Sequence, residues 1–157
     1  MSLTAPTKGA GTSFWRLKTG SDFSGILDFS EDTLWDQLAK VKDIQPGELT
    51  VEDDEDEYLD NPATKYKDSS PGDLDAGETS VTLAWLPGST EQQQLLIDAE
   101  AGTKTWYRAK YANGAVDCWF GYINSLGRTI AVKERMQRTI KIKNCAAPKY
   151  AEEILGA

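Results

Sequence analysis

The sequence predicts a mainly β domain with one flanking α-helix, and three stretches carry that prediction. In Gly77 to Gly88, Val81, Leu83 and Trp85 alternate with Thr82, Ala84 and Leu86, the period-two pattern of a strand that buries one face. Pro87-Gly88 stops that strand, and Ser89 or Thr90 can then cap a helix, with Gln92 or Gln93 as the reciprocal partner. Leu95, Leu96 and Ala99 give the helix an apolar stripe that ends near Gly102. The third stretch is Asn113-Gly114 between two alternating runs, which predicts a hairpin with a type I′ turn.

At 157 residues the chain fits one domain, able to bury roughly two thirds of the surface its unfolded form exposes. No window approaches the roughly 20 apolar residues of a membrane span, and the start MSLTAPTKGAG lacks a secretory apolar run. A soluble protein made in a cytoplasm, without membrane insertion, is expected. Cys118 and Cys145 show no metal-ligand spacing and there is no histidine, so free thiols are expected, with Cys118 buried in a strand. The lack of histidine removes the commonest general base and metal ligand. No G-x-S-x-G, P-loop, G-x-G-x-x-G or H-E-x-x-H pattern occurs, so a role without catalysis, cofactor or metal leads.

In chain order, Met1 to Ala10 lacks periodicity and reads as a mobile arm. Gly11 to Lys18 reads as a strand with Phe14 and Trp15 on opposite faces, which implies a second covered surface. Thr19 to Glu31 reads as loop, and Leu34 to Ile44 as strand or helix, with strand favoured from about Leu38. Thr103 to Tyr111 is predicted as a strand with Trp106, Arg108 and Lys110 on one face and Tyr107, Ala109 and Tyr111 on the other. The return strand runs from Ala115 to about Asn124, again with large apolar groups on both faces. Ser125 to Gly127 reads as a turn into a strand within Thr129 to Lys143, where Met136, Ile140 and Ile142 alternate with a basic row. Residues 144–157 read as a tail with a short helix near Tyr150 to Leu155.

The segment from Gln45 to Ala76 reads as a long acidic loop. Its run Glu52, Asp53, Asp54, Glu55, Asp56, Glu57 invites a calcium reading, but a loop begun at Asp53 places Tyr58 where an EF-hand needs glycine and Thr64 where it needs the bidentate glutamate. A solvated loop that orders against a neighbour is the better reading. The net charge of −8 conceals a division: residues 1–100 carry 7 Lys and Arg against 21 Asp and Glu, giving −14, and residues 101–157 carry 10 against 4, giving +6. Patches of opposite sign can attract copies head to tail, closing a ring or extending a filament, or they can face each other inside one monomer.

The residues also carry a resemblance. KGAGTSFW, LAKVKDIQPGELTVEDDEDEYLD, AGETSVTLAWLPGSTEQQQLL, YANGAVDCWFGYINSLG and RTIKIKN followed by Pro148 resemble, in order and spacing, the major tail tube protein of lambda-like long-tailed bacteriophages from Lys8 to about Glu152. The resemblance implies a β-sandwich or barrel-like tail tube fold, similar to the type VI secretion tube protein, over a single domain 1–157 with no appended immunoglobulin-like domain. It implies hexameric rings stacked into a hollow tube in the virion tail, assembled in the host bacterial cytoplasm. Implied partners are further copies of the chain, the tape measure, tail terminator and tail tip or baseplate proteins, and double-stranded DNA that passes without specific binding. Carried over by position, Lys8 of the arm and Glu52, Asp53, Asp54, Glu55, Asp56, Glu57 and Tyr58 of the loop are candidate interface residues, with Arg135, Arg138 and Lys141 as basic partners. Two alternatives stand beside this reading: a non-polymerising β-domain binding or baseplate-associated module, and a carboxylate-dependent hydrolase, which needs a cleft with two convergent acids.

Overall fold

The computed structural model of the chain describes residues 9–18, 32–38, 41–55, 69–86, 88–133 and 135–150. The predicted N-terminal arm up to Lys8, the loop at 19–31 and the tail helix beyond Tyr150 lie outside the described residues.

Strand β1 (Ser13–Leu17) is followed by a 3-10 turn (Asp32–Leu34), then β2 (Trp35–Leu38) and β3 (Val41–Gln45). Next come β4 (Thr50–Glu55), β5 (Ser69–Asp75) and β6 (Glu78–Ala84), the helix α1 (Thr90–Ala101), and β7 (Thr105–Lys110), β8 (Val116–Thr129) and β9 (Gln137–Asn144). The fold is mainly β with one flanking helix, as the alternation predicts. Seven strands form one antiparallel sheet in the order β2-β1-β7-β8-β9-β6-β3, and β4 pairs with β5 in a separate ribbon.

The edges β2 and β3 are consecutive in sequence, separated by residues 39–40. Laid flat, the seven strands would hold their edges roughly 29 Å apart at about 4.8 Å per strand, whereas the chain from Leu38 to Val41 reaches at most about 11 Å. The sheet must curl until its edge strands are neighbours, giving a barrel-like layer that hydrogen bonds do not close among the described residues. One core cluster fills the concave side, joining Phe14, Leu38, Leu83, Tyr107, Trp119 and Ile142 with Leu95 of α1. Trp35, Val116 and Cys118 form a second cluster with Trp15 and Trp106 on the opposite face. There the Arg108 guanidinium lies 4.5 Å from the Trp15 ring and 5.1 Å from that of Trp35 and bonds Asp32 at 2.5 Å. The two covered surfaces expected from Phe14 and Trp15 are therefore both present.

Several local expectations are corrected. The hairpin after β7 is a three-residue loop: Gly114 N–H donates to Tyr111 O, Tyr111 N–H donates to Ala115 O, and Gly114 takes a φ of 89°. That is a type I turn closed by a bulge glycine, in place of the two-residue type I′ turn. Strand β8 runs through Ser125 to Gly127 to Thr129, absorbing the irregularity as a bulge between Ile123 and Ser125, so the strand ends at Thr129 and not before Ser125. Extended pairing begins at Trp35, before the predicted Leu38. The acidic segment is not irregular throughout, because Thr50–Glu55 and Ser69–Asp75 pair as a ribbon, with Pro71 opposite Asp53 where the register shifts. Proline has no N–H to give a ladder and fits such a place.

The helix begins and ends where expected but is anchored differently. Ser89 is its N-cap without a side-chain cap bond; its hydroxyl donates to Glu91 instead. Gln92 does not reach back to close a capping box. Its amide donates to Ala84 O and its carbonyl accepts from Leu86 N–H, fastening the helix to the end of β6. Gly102 ends the helix at a φ of 66°. The face turned to the sheet buries Gln92, Leu95 and Asp98, while Leu96, predicted in the apolar stripe, is 44% exposed. Asp98 is fixed by Arg16 of β1, whose Nε and Nη2 donate to its two oxygens at 2.5 and 3.0 Å.

Candidate assembly interface

The long excursion between β3 and β6 leaves the sheet as the β4–β5 ribbon. Among the described residues its two strands pair only with each other. Glu52, Asp53 and Asp54 are exposed on it, and no ion pair joins them to another described residue. The alternation of a free-standing ribbon leaves Leu49, Val51 and Leu74 uncovered, at 51%, 44% and 68% exposure, with Val51 and Leu74 directly cross-strand. Acidic and apolar groups thus share one projection. Lys143 reaches Asp75 at its base, at 3.6 Å.

At the far end of β6 and β9 the character reverses. Between β8 and β9, Ile130, Val132 and Met136 are exposed, with Lys133 and Arg135 exposed among them. Below them, Arg128 of β8 and Arg138 of β9 are direct cross-strand partners. They share the core-side face with Leu126 and Ile140, at the mouth of the curled sheet. The Arg128 guanidinium lies 4.9 Å from the Trp85 ring. Arg138 is half-buried, and its Nε is buried without a hydrogen-bond partner. Burial holds the Arg138 guanidinium below its ordinary pKa, and the positive charge of Arg128 adds to the effect. A cavity of about 370 Å³ opens here, lined by Trp85, Gln92, Leu96, Leu126, Arg128 and Arg138.

The predicted basic partners do not form one patch. Lys141 alternates with buried Ile140 and Ile142 and so projects from the opposite face of the sheet. Arg135 lies between β8 and β9, and Arg138 faces the helix side. Of the predicted acidic residues, Glu52, Asp53 and Asp54 lie together on β4, and Glu55 ends that strand. Lys8, Asp56, Glu57 and Tyr58 lie outside the described residues. Sequence reading missed Arg128 and Trp85, because the pairing of Arg128 with Arg138 depends on β8 continuing past Gly127. Among the described residues no group of His, Cys, Asp or Glu could hold a metal ion, and no helix of the described residues is long and apolar enough to cross a membrane.

The described chain is thus a curled β-sheet with exposed acidic and apolar groups at one end of β6 and β9 and exposed basic and apolar groups at the other. The chain belongs to the lambda phage tail tube protein family, whose model matches residues 17–151. No curated protein sequence matches it. The fold is similar to that of a chain in the tail of an empty gene transfer agent particle, refined with C6 symmetry, at a TM-score of 0.67 and 11% identity over 92% of this chain and 98% of that one. It is also similar to the SPP1 tail tube, at a TM-score of 0.60 and 15% identity over 97% and 87% of the two chains. A chain of the PVC extracellular contractile injection system sheath-tube complex matches at 0.64 and 9% identity, over 94% of each. The chain is thus a structural tail tube protein of phage type.

Proposed function

We propose that the chain acts as one tube domain, closes into hexameric rings and stacks them into the hollow tail tube through which a genome is delivered. The observation that carries this reading is the pair of complementary surfaces at opposite ends of β6 and β9, each mixing charge with exposed apolar groups. Contiguous exposed apolar groups rimmed by charge mark association surfaces, and a contact between unlike surfaces propagates from copy to copy. The sixfold symmetry stated for the similar gene transfer agent tail supports rings of six. Assembly in the host cytoplasm, with the tape measure, terminator and tip or baseplate proteins as partners, belongs to the same proposal.

Duplex DNA is read as cargo. Tight phosphate binding draws on Lys and Arg releasing counterions, and a chain of net charge −8 is poorly suited to it. Sedimentation of the purified protein at rising concentration, with and without tail-tip components, tests the reading. Long particles of uniform width are expected. Similar chains also occur in the anti-feeding prophage baseplate and in the PVC sheath/tube terminator, which favours a second reading in which the protein caps or seeds a tube. Closed rings that never stack would select it.

A further inference from the structure

We propose that Arg128 and Arg138, with Trp85 beside them, form a carboxylate-accepting site that receives a carboxylate of β4, where Glu52 and Asp54 share one face and Asp53 takes the other, from a second copy of the chain. This rests on the self-assembly reading and names the site that reading lacks.

Like charges directly opposite on a sheet face repel, so the Arg128–Arg138 pair is a local cost in the isolated chain. No described carboxylate offsets it, and Arg138 Nε has no partner. The surroundings raise the value of an incoming anion. Trp85 holds the Arg128 guanidinium in place, and the half-buried setting of Arg138 strengthens any charge-assisted bond made there. Guanidinium forks match carboxylate oxygens two at a time. A carboxylate entering the cavity beside Gln92 and Leu96 would bond both arginines and cancel their repulsion.

The chain's own ribbon is badly placed to fill this site. It joins β6 at Glu78, which pairs with Lys143, whereas the arginines lie at the other end, beside the Ala84–Gln137 pair. Six residues of strand separate these ends by about 20 Å. A neighbouring copy offset along the same direction brings its ribbon to the arginines with no bending of either chain. The charge division of the sequence, −14 before residue 101 and +6 after it, matches this head-to-tail placement. The apolar groups match as well, with Val51 and Leu74 on the ribbon and Ile130 and Val132 beside the arginines.

The test is a charge exchange between two folded variants. A pocket-reversed protein (Arg128→Glu, Arg138→Glu) and a ribbon-reversed protein (Glu52→Lys, Asp53→Lys, Asp54→Lys) are each expected to stay unassembled where wild-type tubes form. Mixed one to one they are expected to polymerise, because each ribbon then meets a pocket of opposite sign. Arg138→Gln is expected to raise the critical concentration about ten-fold while leaving the melting temperature of the monomer unchanged or higher, since a repulsion is lost; a lower melting temperature would overturn the claim that the pair is a cost in the monomer. If wild-type tubes form and the pocket-reversed protein forms them at the same concentration, the site is overturned and the self-assembly reading stands. If wild-type protein fails to assemble even with tail-tip components, the self-assembly reading fails and takes the site with it. Duplex DNA affinity that falls in the pocket-reversed protein, with assembly unchanged, would mean a phosphate occupant and would also overturn the proposal.

Discussion

The ion pair between Arg16 and Asp98 fixes the helix to the sheet, and replacing Asp98 by Asn tests how much of the fold depends on it. Asp98 is 2% exposed and Arg16 5% exposed. Asp98 accepts two bonds from Arg16 and a third from Gln94 Nε2 at 3.1 Å. An asparagine fills the same space but cannot accept at both positions or neutralise the guanidinium. Removing one member of a buried pair costs about 3–5 kcal/mol, because the other charge stays buried without compensation. For a chain of this length that lowers the melting temperature by on the order of 10 °C. The assay is urea and thermal unfolding at a concentration where sedimentation shows monomer. The double replacement Arg16→Met, Asp98→Leu is the control, expected to recover most of the loss because no charge is left buried. A cost below about 0.5 kcal/mol for Asp98→Asn, the range of an exposed pair, would refute the reasoning.

Gln92→Leu removes the amide that joins α1 to Ala84 and Leu86 and is expected to cost about 1 kcal/mol or more by taking the partner from two part-buried backbone groups, measured by urea unfolding. Gly121→Ala drives a methyl into the Lys143 carbonyl across the β8–β9 ladder and is expected to prevent stable folding, read by circular dichroism. Gly114→Ala meets open space but takes its side chain to a positive φ, and is expected to cost about 1–2 kcal/mol. Burial pushes the Cys118 thiol up, so a thiol reagent is expected to label exposed Cys145 at once and Cys118 only as the protein unfolds. Burial first and then the Asp98 carboxylate push the Tyr107 phenol up as well. Both groups stay protonated in the folded chain where the unfolded chain ionises, at about pH 8.5 for the thiol and about 10 for the phenol. Stability is therefore full below those values and falls as pH rises through them; Tyr107→Phe is expected to flatten the limb above pH 10.

Legibility in the sequence followed how well each segment separates apolar from polar positions. Val81 and Leu83 alternate with hydroxyls, and Ile140 and Ile142 with Lys141, so β6 and β9 were plain. Phe14 beside Trp15 announced two covered faces before any pairing was known. The β4–β5 ribbon was hidden because a run of acids has no alternation to read, and Pro71-Gly72 looks like turn. The helix misled in a different way. Its buried face is held by Gln92 and Asp98, and the partner of Asp98 is Arg16, 82 residues away, so local periodicity turned Leu96 inward wrongly. At the candidate interface the acidic residues were legible as an unusual run. Arg128 was not, since its meaning lies in being opposite Arg138, a register set by the bulge after Ile123 and by the length of β8.

The central claim is that this chain builds a tube by repeating one contact between unlike ends. Cryo-electron microscopy of the assembled wild-type protein, reconstructed with helical symmetry, tests it most directly. Stacked sixfold rings around an open channel are expected, with β4 of one subunit against Arg128 and Arg138 of another. Rings joined through other surfaces, with both the ribbon and the arginine pair facing solvent, would contradict it.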